Sequence, residues 1–189
     1  MKSNMKLMRS TLVLGLGLLL SPLTAMAGLD AFQPGPVFKT YGRIAKVDTS
    51  WGIPQGMKFK VVFDMSKAAQ AGELNPGLDS MARFINMHVA AGVKPEDIEL
   101  AMVVHGAAVV DLSNQAFYAR QHDGSDKVNA NAALIKALSA QGVHFYVCGQ
   151  SAAYYGLGRE ALLLSVDMAL SAMTAHAVLA GSGYSLNPF

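Results

Sequence analysis

The sequence predicts an α/β fold with a parallel sheet covered by helices on both faces. Three observations point there: apolar runs of β-formers recur along the chain, segments with helical spacing of 10 to 15 residues lie between them, and Gly or Pro marks the changes from one to the other. Such alternation is the signature of strand, crossover and parallel strand, with right-handed connections.

Lys58 to Asp64 reads as the first strand of this domain. Leu78, Met81, Ala82, Ile85 and Val89 then recur at helical offsets, a helix that Gly92 ends and Pro95 keeps from resuming. Ile98 to Val104 is a second strand running into His105-Gly106. A stretch rich in small and polar residues, Ala107 to Gly124, leads to Ser125-Asp126, which reads as the cap of a helix carrying Val128, Ala132, Ile135 and Leu138. Gly142 stops it. Val143 to Val147 is a third strand ending at Cys148, and a helix is expected to start just past Gly149. Leu163 to Leu170 reads as a fourth strand, Ser171 as the cap of a helix through Met173, His176 and Leu179, and Tyr184 to Asn187 as a last short strand.

Ahead of this domain, residues 28–57 hold Pro34, Pro36, Pro54 and several glycines without a sustained period. They read as an extension lying over the domain, with a short strand somewhere between Phe38 and Val47 and with Tyr41 and Trp51 as packing anchors. Residues 1–27 have the pattern of a cleavable secretory signal: Lys2, Lys6 and Arg9, an apolar run from Leu12 to Leu20 too short for a membrane span, then Ala25-Met26-Ala27. Cleavage there predicts a periplasmic protein with no membrane attachment afterwards. The 15 basic residues exceed the 13 acidic ones only through the three in this leader, so the remaining chain stands at 12 against 13, or −1. With no later cluster of Lys or Arg, nucleic acid is not an expected partner.

Cys148 is the only cysteine, so it forms no internal disulfide. It either packs as a small apolar group or reacts. Its place at a strand end before a helix start favours the second, because the unpaired N–H groups there stabilise a thiolate. In a sheet of this kind ligands bind beyond the carboxyl ends of the strands, and Asp64, His105-Gly106, Cys148-Gly149-Gln150-Ser151 and Ser171 all fall on that edge. Cys148 with His105 as base and Asp64 as orienter has the residue types of a nucleophilic site, though no hydrolase motif accompanies them. No metal or cofactor is expected. Neither CxxC nor HxxxH occurs, and Met81, Met102, Met168 and Met173 sit where Met serves as core filler. His88 and His176 read as partly buried helix residues. His122 and His144 lie away from the sheet's carboxyl edge, and Gly156-Leu157-Gly158 is too short for a nucleotide loop.

The segments Val103-Val104-His105-Gly106 and Val147-Cys148-Gly149-Gln150-Ser151, with the tail from Leu170-Ser171-Ala172-Met173-Thr174-Ala175-His176 to Gly183-Tyr184, resemble the DsrE/DsrF-like family over roughly residues 58–189. The resemblance implies a flavodoxin-like three-layer sandwich with a mostly parallel five-stranded sheet, and assembly into trimers or hexamers. It also implies, from the TusD-like sulfur-relay members, sulfur carried as a persulfide on one cysteine, which Cys148 matches in place. His105 matches a recurrent histidine-glycine of the family. Two features depart from the relay members, which are cytoplasmic and compact: the expected export signal and the extension, which would cover the active edge or an oligomer surface. The expected function is a periplasmic sulfane-sulfur carrier or sulfurtransferase that is a homo-oligomer and meets a donor or acceptor protein. Cys148 and His105 would be its reactive residues, with Asp64, Gly106, Gly149, Gln150, Ser151 and Ser171 around them. The alternatives are a non-enzymatic oligomeric module binding a small molecule or metal in the same pocket, and a hydrolase built on Cys148 and His105.

Overall fold

The computed structural model describes residues 28–124 and 126–187; the expected leader lies outside them. Two short strands, β1 (Phe32–Gln33) and β2 (Ile44–Ala45), pair antiparallel in the extension. The domain then runs β3 (Phe59–Met65), α1 (Pro76–Ala90), β4 (Ile98–Val104), a 3-10 turn at Gly106–Leu112, α2 (Gln115–Gln121), α3 (Asn131–Ala140), β5 (His144–Cys148), α4 (Gly149–Tyr155), β6 (Val166–Ala169), α5 (Ala172–Gly181) and β7 (Ser185–Asn187). The last five strands form one all-parallel sheet in the order β6-β5-β4-β3-β7. This is the three-layer α/β sandwich of flavodoxin-like type.

Strand residues alternate between faces, and the two faces differ in what covers them. Val61, Phe63, Met65, Leu100, Met102, Val104, Phe145 and Val147 pack into a large core with α1, α3, α4 and the 106–112 turn. Val62, Ala101 and Val103 face the other way and are covered by Ala175 and Leu179 of α5. The chain crosses to β7 beside β3 only after α5, so α5 spans the second face and brings the last strand home.

The extension lies on α1, on the face away from α5. Fully buried Asn86 holds it: its Oδ1 accepts from Val37 N–H and Phe38 N–H at 3.0 and 2.9 Å, and its Nδ2 donates to the carbonyls of Phe38, Tyr41 and Gly42. Gly42 adopts φ +57° there, and a Cβ would fall 2.2 Å from the Arg83 nitrogen. Phe38 is the buried anchor, with Tyr41 packed beside it. Trp51, expected to anchor, is 91% exposed. The two-residue strands at 32–33 and 44–45 likewise replace the longer strand expected within 38–47, because this segment satisfies its backbone on Asn86 rather than on a ladder.

Three other expectations are corrected. The helix expected from a Ser125-Asp126 cap begins only at Asn131, where the Asn129 carboxamide oxygen accepts from Asn131 N–H while its Nδ2 donates to the carbonyls of Asp111 and Ser113. Ser125 lies outside the described residues, and Val128 is exposed. The strand expected over 163–170 is only 166–169, since Leu162 bridges to Ser113 and Leu163 N–H donates to the Leu112 carbonyl. Met173 is 80% exposed rather than core filler.

Candidate functional site

The carboxyl ends of β3, β4, β5 and β6 carry the candidate residues. The last rung between β4 and β5 pairs Val104 with Val147, so His105 and Cys148 follow at the same level on adjacent strands, which run about 4.8 Å apart. Alternation places both, with Asp64, on the α5 face. Cys148 is 6% exposed and is itself the N-cap of α4. Burial pushes its thiol up, but the polar groups about it, the Ser151 N–H and hydroxyl and the N–H groups of Ala172 and Gln150, favour the charged form and more than reverse that, leaving it below the ordinary thiol value. Two helix starts therefore converge on one sulfur, α4 from its own strand and α5 from the next.

The remaining expected pocket residues explain this convergence. Ser171 caps α5, its Oγ accepting from Thr174 N–H at 3.0 Å, and so aims the first turn at the thiol. Gln150 Nε2 donates to the Leu170 carbonyl at 3.2 Å and ties the α4 start to the end of β6. A side chain at Gly149 would meet the Ala169 carbonyl at 2.7 Å, so only glycine lets these two chain segments approach. Gly106, at φ +55°, passes against the Ser66 carbonyl in the same way. Its N–H donates to Ser151 Oγ at 2.9 Å, so the β4 exit is coupled to the hydroxyl that favours the thiolate.

His105 does not turn to the thiol. Its Nε2 lies 3.0 Å from Asp64 Oδ2, and on the other carboxylate oxygen sits His176 Nε2 at 2.7 Å. Burial raises the Asp64 carboxyl, but the hydrogen bonds and charge of His176 and His105 outweigh it and hold the group below its usual range. The side chains of all three are between 26% and 36% exposed, so the cluster opens to solvent. His176 was read from sequence as an ordinary helix histidine. It lies four residues after Ala172 on the same helix, about 6 Å along the axis, and its partner Asp64 is 112 positions away, so no local spacing reports the contact. Among the described residues no group of three or more His, Cys, Asp or Glu is placed to hold a metal ion, and no helix is long and apolar enough to cross a membrane.

A parallel sheet of this order, with one buried thiol at the end of the strand next to its β6 edge, defines a class of small three-layer α/β proteins. The DsrE/DsrF-like family profile matches residues 57–188, and the chain belongs to that family, which is generally implicated in sulfur relay. Among solved structures it is similar to MTH1491 of Methanobacterium thermoautotrophicum, described as a protein of unknown function, at 16% identity and TM-score 0.49 over 70% of this chain and 100% of that one. It is also similar to the ychN protein of E. coli, at 17% identity and TM-score 0.47 over 69% of this chain and 99% of that one. No curated protein matches the chain.

Proposed function

We propose that this protein accepts and carries sulfane sulfur as a persulfide on Cys148, in the periplasm, where the pattern of residues 1–27 directs it. The observation that carries this reading is the place of Cys148, buried at the end of β5 as the N-cap of α4, where the N–H groups of Gln150, Ser151 and Ala172 and the Ser151 hydroxyl hold its thiol below the ordinary value. They favour the thiolate, which is the attacking form. A buried cysteine that only packed would have no use for them. The low exposure of Cys148 also suits an oxidising compartment, since it limits access by bulky disulfides.

The protein is further proposed to work as a homo-oligomer. Helix α5 (AMTAHAVLAG) is apolar on nearly every side, yet Met173 and Val178 stand exposed on it, and Leu170 beside it. A groove of about 430 Å³ lined by Tyr146, Met168, Ala169 and Val178 runs along its flank. A helix apolar all round is ordinarily covered on all sides, and a second copy would supply the cover. Sedimentation of the purified protein tests this, with monomer at micromolar concentration as the contrary result.

The deciding experiment for the carrier reading is intact mass of the protein and its Cys148→Ser variant after anaerobic incubation with polysulfide or thiosulfate, before and after reductant. A reductant-labile gain of one sulfur in wild type alone supports it. No gain from a thiol that alkylates freely would favour a binding module using the same pocket.

A further inference from the structure

The histidines beside Cys148 have no part in the set of groups that favours its thiolate. Both turn their Nε2 to Asp64, at 3.0 and 2.7 Å. An ionised carboxylate only accepts, so each Nε2 carries its hydrogen and each ring is fixed in one tautomer, with Nδ1 left as the atom that takes up or releases a proton. Two proton-exchanging rings are thus held by one carboxylate at the carboxyl edge of the sheet. Other titratable side chains on the α5 face sit elsewhere: Lys60 and Glu99 pair with each other at 3.2 Å near the start of β3 and β4, the Tyr184 hydroxyl donates to Glu99 at 2.6 Å, and Tyr146 and Asp167 line the groove along α5. Around the cluster the facing titratable groups are Asp64 from β3, His105 from the end of β4, His176 from α5 and, level with His105, Cys148 from β5.

Sulfur transfer has a demand that the thiol's own donors do not meet. When a thiolate takes the terminal sulfur of a persulfide, the donor's other sulfur departs as a thiolate, a leaving group that gains from a proton as the S–S bond breaks. We infer that His105 and His176, held by Asp64, form the acid station that protonates the departing thiolate, and that the donor is an organic persulfide small enough to reach a sulfur only 6% exposed. This rests on the carrier reading of Cys148 and deepens it. In the step, Cys148 Sγ⁻ attacks the outer sulfur of R–S–SH and the Sγ–S bond forms. The donor S–S bond breaks with its electron pair on R–S⁻, and one imidazolium gives its Nδ1 proton to make R–SH. The products are Cys148–S–SH, R–SH and a neutral imidazole, with no net oxidation. The placement suits it: His105 is level with Cys148 on the adjacent strand, and α5, which starts just past the β6 residue paired with Cys148, carries His176 to the carboxylate one turn on.

Rates of sulfur loading from glutathione persulfide, read by intact mass between pH 5 and 9, test this on wild type, His105→Gln, His176→Gln and the double variant. Iodoacetamide alkylation of Cys148 is measured alongside. Glutamine still donates to Asp64, so the carboxylate keeps its partners, but it exchanges no proton. Each single variant is expected to slow loading about three- to tenfold and the double about a hundredfold, with the wild-type pH profile flattened and alkylation within about twofold of wild type. Loading by the double variant at the wild-type rate and profile would overturn the inference while leaving the carrier reading intact. A parallel fall in alkylation would also overturn it, since the pair would then act on the thiol. A wild-type protein that alkylates but takes no sulfur would remove the carrier reading and the inference together.

Discussion

The two faces of the sheet are built from different material. Under α1, α3 and the 106–112 turn lie Phe63, Met65, Leu100, Met102 and Phe145, all nearly or fully buried. Under α5 lie Val62, Ala101 and Val103, small residues beneath a single ten-residue helix. The heavy face has the apolar area to hold the fold, at about 25 cal/mol per Å² removed from water. The light face has room for chemistry: Asp64, His105, Cys148 and His176 all lie there, the carboxylate and the two histidines partly open to solvent and Cys148 buried. One strand serves both purposes because its side chains alternate.

The largest effect expected from breaking this division is on the heavy face. Leu100→Ala removes a side chain 1% exposed and is expected to cost about 2–5 kcal/mol, read as a lower denaturation midpoint at unchanged slope. Leu179→Ala, under α5 at 6% exposure, sits beside the open groove and should fall at the low end, about 2 kcal/mol. It should also slow sulfur loading, which Leu100→Ala leaves intact in the folded fraction. Equal costs with no difference in loading would deny the two faces separate roles.

Next in size is the extension. Asn86→Ala strips partners from the N–H groups of Val37 and Phe38 and the carbonyls of Phe38, Tyr41 and Gly42. A cost of about 1–3 kcal/mol is expected, limited because the freed segment can detach and be hydrated. Limited proteolysis should then cut within residues 28–57 while Cys148 alkylates at the wild-type rate. A changed alkylation rate would mean that the extension reaches the active edge.

Smaller still is Ser171→Ala, which removes the cap of α5 for about 1 kcal/mol. Its stability cost, by thermal denaturation, should be accompanied by reduced thiol reactivity, because the uncapped first turn holds Ala172 less firmly against the sulfur. A stability loss with unchanged reactivity would detach the cap from the site.

These comparisons also show what was legible beforehand. The strand runs and the α1 period were readable because apolar spacing follows directly from which face is buried. The second strand came out at Ile98–Val104 as expected. The edge residues were readable too, since a parallel sheet brings its strand ends together whatever the loops do. Buried asparagines were not. Asn75, Asn86, Asn129 and Asn131 are all under 5% exposed, holding loops by side-chain bonds to backbone, whereas Asn in a sequence ordinarily signals an exposed turn. His176 was missed for a related reason: its partner, Asp64, is 112 positions away, and no local pattern reports a contact that only the α5 crossover creates.

The smallest expected effect is the sharpest probe of the light face. Ser151 favours the thiolate in two ways, through its N–H and through its hydroxyl, and its Oγ also accepts from Gly106 N–H. Ser151→Ala keeps the first contact and removes the second, so the thiol should move back toward its ordinary value. The sign follows from which form each bond favours: the hydroxyl donates to the thiolate, so its loss shifts the balance to the thiol and reactivity falls at neutral pH. At pH values above the ordinary thiol range both proteins are fully ionised and should alkylate alike. A drop of about threefold at pH 7 that closes by pH 10 is the expected pattern, read from iodoacetamide rates across that range. A loss that persists at pH 10 would instead indicate altered access to the pocket. In that case Ser151 would serve to hold the β4 exit through Gly106, and the thiolate would depend on the three backbone N–H groups alone.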